Sequence, residues 1–156
     1  MVVCGMAVTG HYYLEDLHVG QRFFSASERL TLEDITRFAA EYDPQPFHLD
    51  EIAARSSVFE GLAASGWHTA SVSMRLLVGG GLPIAGGIVG TGGELLWLKP
   101  VRAGDTLHVE TEVLEIVPSR SKPDRGMVRV RALTINQDGE TVQSFTPRLV
   151  VPRRPG

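Results

Sequence analysis

The chain has 156 residues, of which 43% are hydrophobic and 21% charged, and its formal net charge is −3. This composition excludes a disordered chain, and the length predicts one domain over residues 1–156 with loose ends at 1–12 and 152–156. A nucleic-acid partner is disfavoured because such proteins usually carry a basic excess. The only basic cluster is Arg153-Arg154, which we interpret as a solvated tail.

The sequence also bears on compartment and cofactors. Cys4 is the only cysteine, so an intramolecular disulfide is impossible and a zinc site would lack its usual thiolates, which fits a reducing cytoplasm. The apolar stretch 1–8 is too short for a signal core or a membrane span, and no other segment is apolar for about 18 residues. We therefore expect a cytoplasmic protein with no membrane partner.

The first predicted elements are a strand and a helix. Residues 21–30 predict a strand, because Phe23 and Phe24 lie among small and polar residues without helical spacing. Thr31 is a suitable N-cap for a helix that follows it. The apolar residues after it recur at helical spacing, at Leu32, Ile35, Phe38, Ala39 and Tyr42.

Two prolines predict the end of this helix. Pro44 and Pro46 push the preceding residues out of helical geometry, so residues 43–48 are predicted to form a rigid, non-helical turn. A short helix is predicted at 50–55. Residues 67–78 contain one charged side chain, Arg75, and predict a largely buried helix. We expect several large side chains in the core, namely Trp67, Met74, Leu76, Leu77 and Trp97.

The remainder of the chain predicts strands. Glycines and Pro83 stop the helix, and segments 88–98, 106–117, 127–136 and 141–151 are rich in Val, Ile, Leu and Thr. Asp138-Gly139 is typical of a tight hairpin. The order of elements predicts an α+β domain in which one central helix is wrapped by a single curved antiparallel sheet.

Residues 40–50 read Ala-Glu-Tyr-Asp-Pro-Gln-Pro-Phe-His-Leu-Asp. This segment resembles the signature of MaoC-like dehydratases and R-specific enoyl-CoA hydratases, Gly-Asp-x-Asn-Pro-aliphatic-His, with the same spacing from Asp43 to His48. The resemblance continues through 63–69 and 99–105 and covers about 13–151. The chain departs from the signature at three positions, which are Tyr42 for Gly, Gln45 for Asn and Phe47 for an aliphatic residue.

The resemblance implies a hot-dog fold and hydration or dehydration of an enoyl thioester by Asp43 and His48. A carboxylate and an imidazole can hold and deprotonate water and return a proton to Cα. The backbone N–H of Gly66, at a helix start, is our candidate for stabilising the enolate oxygen. Ser65 is a substrate-binding candidate or a helix cap, and the Gln45 amide can orient the turn. His68 is predicted to be a satisfied core or tunnel-lining residue.

No metal or phosphate-binding motif is present, so we expect no metal and no cofactor, with the thioester of CoA or a carrier protein as substrate. Two alternatives remain. A hot-dog thioesterase usually carries a carboxylate on the central helix, and 67–78 contains none. A catalytically inactive acyl-thioester-binding dimer is the other. In each case we expect a homodimer or a dimer-based oligomer, because a single sheet leaves an open edge.

Overall fold

The structure is a computed structural model that describes residues 11–156. Its sheet has the strand order β1-β4-β5-β6-β3, all neighbours are antiparallel, and β2 also pairs with β4. The strands are β1 (Arg22–Phe24), β2 (Glu28–Arg29), β3 (Val89–Trp97), β4 (Thr106–Pro118), β5 (Arg125–Ile135) and β6 (Thr141–Pro152). The four long strands were predicted from sequence and are confirmed to within two residues at each end.

The sheet buries one face because apolar residues alternate along its strands. On β4 the side chains of Leu107, Val109 and Val113 are fully buried. The hairpin between β5 and β6 is formed as predicted, with Gly139 at a φ of 74° and its N–H donating to the carbonyl oxygen of Asn136. A positive φ is easily adopted by glycine, which explains the strong hairpin signal of Asp138-Gly139.

The prediction of one strand over residues 21–30 is wrong. Ser25 separates β1 from β2, and its hydroxyl, not a backbone carbonyl, accepts the N–H of Val109 at 2.7 Å. The Ser25 N–H still donates to the carbonyl oxygen of Val109. A side chain thus replaces one backbone partner of the ladder, and the two short strands pair with different parts of β4.

The helices are α1 (Leu32–Tyr42), α2 (Pro46–Leu49), α3 (Glu51–Arg55) and α4 (Gly66–Leu76). α1 begins at a capping box in which the side chains of Thr31 and Asp34 each accept the other residue's backbone N–H. This confirms Thr31 as the predicted N-cap. α3 confirms the predicted short helix. The prediction that 43–48 is entirely non-helical is wrong, because Pro46 begins the helical turn α2. Proline is well suited to a first helical position, where no N–H is needed.

α4 is the central helix, and it is followed by a wide turn over Leu77–Gly81 that contains Gly80 at a φ of 141°. α4 is less buried than predicted, because Trp67 is 58% exposed and Met74 is 39% exposed. Trp97 on β3, also predicted to lie in the core, is 45% exposed. Leu76 and Leu77 do lie in the core. The exposed side chains flank β3, an edge strand of the sheet, and nothing within residues 11–156 covers them.

The prediction of a loose C-terminus is wrong for residues 152–154. Pro152 belongs to β6, the Arg153 N–H donates to the carbonyl oxygen of Asp124, and the Arg154 guanidinium donates to both oxygens of Asp16. Arg154 is therefore ordered by its pairing with Asp16, and its side chain remains exposed as predicted. At the other end, Tyr12 bonds the backbone near Pro83, whereas the expectations for 1–10, including Cys4, lie outside the described residues. No helix within 11–156 is long and apolar enough to cross a membrane.

Together these elements form the hot-dog fold that the sequence led us to expect: a curved antiparallel sheet around one central helix. The chain between α1 and α4 carries α2 and α3 and returns to the N-terminal end of α4. The predicted site residues lie in this connection and at that helix end.

Candidate active site

Asp43 and His48 lie together at the end of α1. Asp43 is the residue that ends α1, and its N–H donates to the carbonyl oxygen of Ala39. The helical turn α2 then brings the imidazole back toward α1, so that Nε2 of His48 is 3.3 Å from Oδ2 of Asp43. Only 5% of the His48 side chain and 16% of the Asp43 side chain are exposed. The fixed spacing of the motif thus becomes a close carboxylate–imidazole pair.

A hydrogen bond at the second nitrogen of His48, Nδ1, fixes the tautomer of the neutral ring. Nδ1 lies 2.6 Å from the carbonyl oxygen of Ala63, and because a carbonyl can only accept, Nδ1 carries a proton and donates it. In the neutral ring Nε2 therefore has a lone pair directed at another acceptor, the Asp43 carboxylate. Two acceptors in this position need a proton between them, either on the imidazole or from a water molecule that donates to both.

The Asp43 carboxylate has further donors. Ser65 donates its hydroxyl to Oδ2 at 2.7 Å, and the side-chain amide of Gln45 donates to Oδ1 at 2.6 Å. Burial raises the pKa of Asp43, but the hydrogen bonds from Ser65 and Gln45 and the nearby imidazole of His48 outweigh it. The pKa of this carboxyl therefore lies below its ordinary value of 3.8. Asp43 is held as a carboxylate at neutral pH.

Ser65 and Gly66 form the start of α4. Ser65 is fully buried, and its Oγ accepts the N–H of Trp67 while donating to Asp43, so it is a helix cap and a partner of Asp43 at once. Among the described residues the backbone N–H of Gly66 has no acceptor. The first turn of a helix presents such free N–H groups together with positive potential. An oxyanion formed beside Asp43 and His48 would find a donor here.

Arg102 supports the site, and the sequence alone does not predict this role. Its guanidinium donates to three backbone carbonyls, those of Phe59, Gly61 and Leu62, at 2.5, 2.8 and 3.3 Å. These carbonyls lie just before Ala63, the residue that binds Nδ1 of His48. Arg102 belongs to the segment 99–105 that carries the family resemblance, but its contacts are about 40 residues away in sequence.

Aromatic rings enclose the imidazole. Phe47 packs edge-on against His48 with ring centroids 4.6 Å apart, and Phe59 lies 6.0 Å from the same ring. Phe47 is one of the three departures from the family signature. Its ring also contacts Phe59, at 5.2 Å, which links α2 to the loop that Arg102 holds.

His68 is buried as predicted, but it is not satisfied. Its Nδ1 has no hydrogen-bond partner among the described residues, and its ring stacks on Phe38 at 4.7 Å with an angle of 7° between the planes. His68 lines a groove between α1 and α4. Burial lowers the pKa of His68, as does Arg37, while Asp34 acts in the opposite direction and the net pKa is below 6.5.

In residues 11–156 no group of three or more His, Cys, Asp or Glu side chains is arranged to hold a metal ion. What the fold and the site define is a hot-dog protein whose carboxylate–imidazole pair lies against the N-terminal end of the central helix. Comparison with known proteins identifies the family within this class. Residues 17–136 match the family model described as MaoC like domain, so the chain belongs to the MaoC-like dehydratase family.

Three individual proteins are similar to this chain. The crystal structure of the MaoC-like dehydratase from Rhodospirillum rubrum is 60% identical in sequence, with a TM-score of 0.92 over 93% of this chain and 99% of that one. An uncharacterized protein of Bacillus subtilis is 36% identical over 80% of this chain and 87% of its own length. A protein named 3-hydroxybutyryl-CoA dehydratase from Methylorubrum extorquens is 35% identical over 70% of this chain and 69% of its own.

Proposed function

We propose that this chain is a hydro-lyase that adds water reversibly across the double bond of a 2-enoyl thioester, bound as its CoA ester. The observation that carries this proposal is the buried Asp43–His48 pair at 3.3 Å, with the His48 tautomer fixed by Ala63. The similarity to a protein named 3-hydroxybutyryl-CoA dehydratase supports the same reaction class and a role in the metabolism of fatty acyl groups.

The reaction follows from the acceptors in the site. Asp43 and Nε2 of His48 together hold one water molecule and accept one of its protons, while the hydroxide portion forms a bond to Cβ. The pair then returns a proton to Cα, so that the product has gained one water molecule and the pair is restored. As the C–O bond forms, negative charge moves to the thioester oxygen, where the Gly66 N–H donates a hydrogen bond. Dehydration is the reverse sequence, and neither direction requires a metal or a redox cofactor.

The test is hydration of trans-2-butenoyl-CoA, followed by loss of the ultraviolet absorbance of the conjugated thioester. Asp43→Asn and His48→Ala are each expected to lower kcat/KM by about a hundredfold or more, the scale of lost general acid–base catalysis. Glu33→Gln, which removes an exposed carboxylate from the same helix, serves as the matched control and keeps full activity. Thermal unfolding of each variant checks that it is folded.

Two results would contradict the proposal. Release of free CoA thiol by the wild type, unchanged in both variants, would indicate a thioesterase. Binding of the thioester without turnover would indicate an inactive acyl-thioester binder. The thioesterase is disfavoured because α4, from Gly66 to Leu76, carries no Asp or Glu on which that chemistry usually depends.

We further propose that the protein is a homodimer joined along β3. This strand is the longer of the two edge strands of the sheet, and its side chains from Val89 to Trp97 are all exposed or half-buried. An uncovered edge with apolar neighbours such as Leu96 and Met74 is suited to pairing with a second copy. Light scattering at micromolar concentration is expected to give the mass of two chains, and the mass of one chain would contradict the proposal.

A further inference from the structure

The indole of Trp97 is hydrogen-bonded to an amide in the interior of the protein. Trp97 lies on β3 directly opposite Gln143 of β6, and its Nε1–H donates to Oε1 of the Gln143 amide at 3.1 Å. Trp97 is 45% exposed, whereas Gln143 is only 2% exposed. Packing therefore covers only part of the indole, and the bond to the buried amide fixes the angle at which the ring lies.

The Gln143 amide is itself fixed at both ends. An indole N–H can only donate, so the amide oxygen faces Trp97 and the amide NH2 donates to Oγ of Ser73, at 3.2 Å. Ser73 donates its own proton to the carbonyl oxygen of Thr69, one turn earlier in α4, at 2.7 Å. Its Oγ then accepts from Gln143 and from Thr134, whose hydroxyl lies 2.6 Å away. Ser73 thus uses its one proton and both of its lone pairs.

This polar network lies where the fold otherwise places apolar side chains. Ser73, Thr134 and Gln143 are each at most 4% exposed, and the cavity of about 260 Å³ beside Ser73 and Gln143 is lined mainly by apolar residues such as Met74 and Phe145. Buried polar groups cost free energy unless they are paired, and apolar residues could fill the same space. A fully paired network, in contrast, holds its members in one arrangement. Its position beside a cavity indicates that it sets an orientation.

The indole transmits this orientation to the first residue of α4. A Cβ atom at Gly66 would lie 2.5–2.9 Å from three carbon atoms of the Trp97 ring, so the ring limits where the backbone at Gly66 can lie. The Gly66 N–H has no acceptor within residues 11–156. The preceding residue, Ser65, donates to Oδ2 of Asp43 at 2.7 Å. A change in the angle of the indole would therefore move an N–H group that lies beside the proposed reacting groups.

Building on the proposed function, we propose that Gln143 is a positioning residue for hydration. It acts through Trp97, which holds the Gly66 N–H where negative charge collects on the thioester oxygen in the transition state. The network begins at Ser73 in the middle of α4 and returns through the indole to the start of the same helix. A donor to developing charge is most effective when it is already in position, because no reorientation is then needed during the reaction.

The variant Gln143→Met tests this assignment in hydration of trans-2-butenoyl-CoA. Methionine has nearly the length of glutamine, but its sulfur is only a weak acceptor and it has no amide N–H. The indole then loses its fixed partner. We expect kcat to fall by about tenfold, a part of the hundredfold or more that follows complete loss of an oxyanion donor, while KM stays within about twofold of wild type.

Thr134→Val is the matched control. Thr134 is as buried as Gln143 and also bonds Ser73, but it makes no hydrogen bond to Trp97. Thr134→Val removes one bond of the network and should lower the thermal unfolding temperature as Gln143→Met does. Its kcat should nevertheless stay within about twofold of wild type, because the bonds from Trp97 to Gln143 and from Gln143 to Ser73 remain.

Trp97→Phe removes the same bond from its exposed end. Phenylalanine keeps a ring beside Gly66 but has no N–H, so kcat should fall by about the same tenfold factor. The double variant with Gln143→Met should be within about twofold of either single variant, because both changes remove one and the same bond. Light scattering checks that each variant keeps the mass of the wild type, since Trp97 lies on the edge strand β3.

The carbonyl stretch of the bound thioester reports on the donor directly. Butenoyl-CoA with an isotopic label at the thioester carbonyl is bound to Asp43→Asn, which slows turnover, and the band is followed by infrared difference spectroscopy. A hydrogen bond to the carbonyl oxygen lowers its stretching frequency. Adding Gln143→Met should therefore move the band to higher frequency, whereas adding Thr134→Val should leave it in place.

Wild-type kcat in Gln143→Met and Trp97→Phe would overturn the assignment. So would equal falls of kcat in Gln143→Met and Thr134→Val, or an infrared band that Gln143→Met does not move. If Gln143→Met does not fold, kcat and the infrared band of Trp97→Phe decide in the same way. Failure of the wild type to hydrate butenoyl-CoA is a different result, which would overturn the proposed function and the role of Gln143 with it.

Discussion

The indole of Trp97 lies directly against the backbone of Gly66. A Cβ atom at position 66 would come 2.5 Å from Cε2 of Trp97 and 2.7 Å from Cδ2, closer than real side chains approach one another. The indole is held in place by its Nε1–H, which donates to Gln143 at 3.1 Å, and by the edge of Trp67. The first residue of α4 must therefore be glycine as long as Trp97 is present.

This contact predicts a strong coupling between the two positions. Gly66→Ala in the wild type is expected to lower the free energy of unfolding by about 1–3 kcal/mol, the usual cost of overpacking, and to impair hydration. In a Trp97→Ala background the same change should cost less than about 0.5 kcal/mol, because alanine itself is favourable in a helix. Chemical denaturation of the four proteins gives the coupling energy. If the two costs simply add, Trp97 is not the reason for the glycine.

The carboxylate of Asp43 leads to a prediction on pH dependence. Gln45 donates to Oδ1 and favours the charged form, so Gln45→Leu should raise the pKa of Asp43. Because the proposed reaction uses Asp43 as a carboxylate, the acid limb of the kcat/KM profile should move to higher pH, while the plateau falls by less than about tenfold. Gln21→Leu is the matched control, because the Gln21 amide bonds the N–H of His18 and makes no hydrogen bond to Asp43. An unmoved acid limb would show that Gln45 does not influence the reactive carboxyl.

His68 gives a prediction on stability. Its pKa is below 6.5 in the folded protein, mainly because of burial, so the unfolded chain binds a proton more readily than the folded one as the pH falls below about 6.5. Stability should be full above that pH and decline below it, with a slope of at most about 1.4 kcal/mol per pH unit for one proton.

Urea unfolding of the wild type and of His68→Leu at pH 7.5 and pH 5.5 measures this difference. The wild type should lose more stability between the two values than the variant does. Both values lie above the range in which carboxylates such as Asp34 and Asp43 titrate, which isolates the contribution of the histidine. Equal losses in the two proteins would contradict a neutral, buried His68.

Local signals made much of this structure predictable. Thr31 begins α1, Asp138-Gly139 forms the hairpin, and the spacing of Asp43 and His48 corresponds to a real pair, because each depends on residues close together in sequence. The sequence does not predict the helical turn α2, because proline disrupts a helix interior and is also a good first helical residue, and the sequence alone does not distinguish the two positions.

The remaining differences depend on contacts that are distant in sequence. Ser25 interrupts a strand only because its hydroxyl meets the N–H of Val109, 84 residues later. Trp67 and Trp97 are apolar and are predicted to lie in the core, yet both are about half exposed beside the edge strand β3, which composition alone does not reveal. The pattern of residues predicts that a side chain is apolar; it does not predict which surface will cover it.

Arg102 is the clearest case of a residue that only the structure identifies, and it gives the last prediction. Its guanidinium binds the carbonyls of Phe59, Gly61 and Leu62, and the next carbonyl, that of Ala63, orients His48. Arg102→Met should leave these carbonyls without their donor and lower the free energy of unfolding by about 1–3 kcal/mol. It should also lower kcat for butenoyl-CoA hydration by about tenfold or more, with KM little changed, because a displaced imidazole no longer holds water against Asp43.

Arg102→Lys separates the two effects. An ammonium group lacks the planar fork that reaches several carbonyls at once, so this variant should recover part of the stability and less of the activity. The NMR signal of the His48 Nδ1 proton reports directly on its bond to Ala63 and should weaken or shift in both variants. If stability falls while kcat and this signal stay at their wild-type values, Arg102 supports the loop but does not position His48.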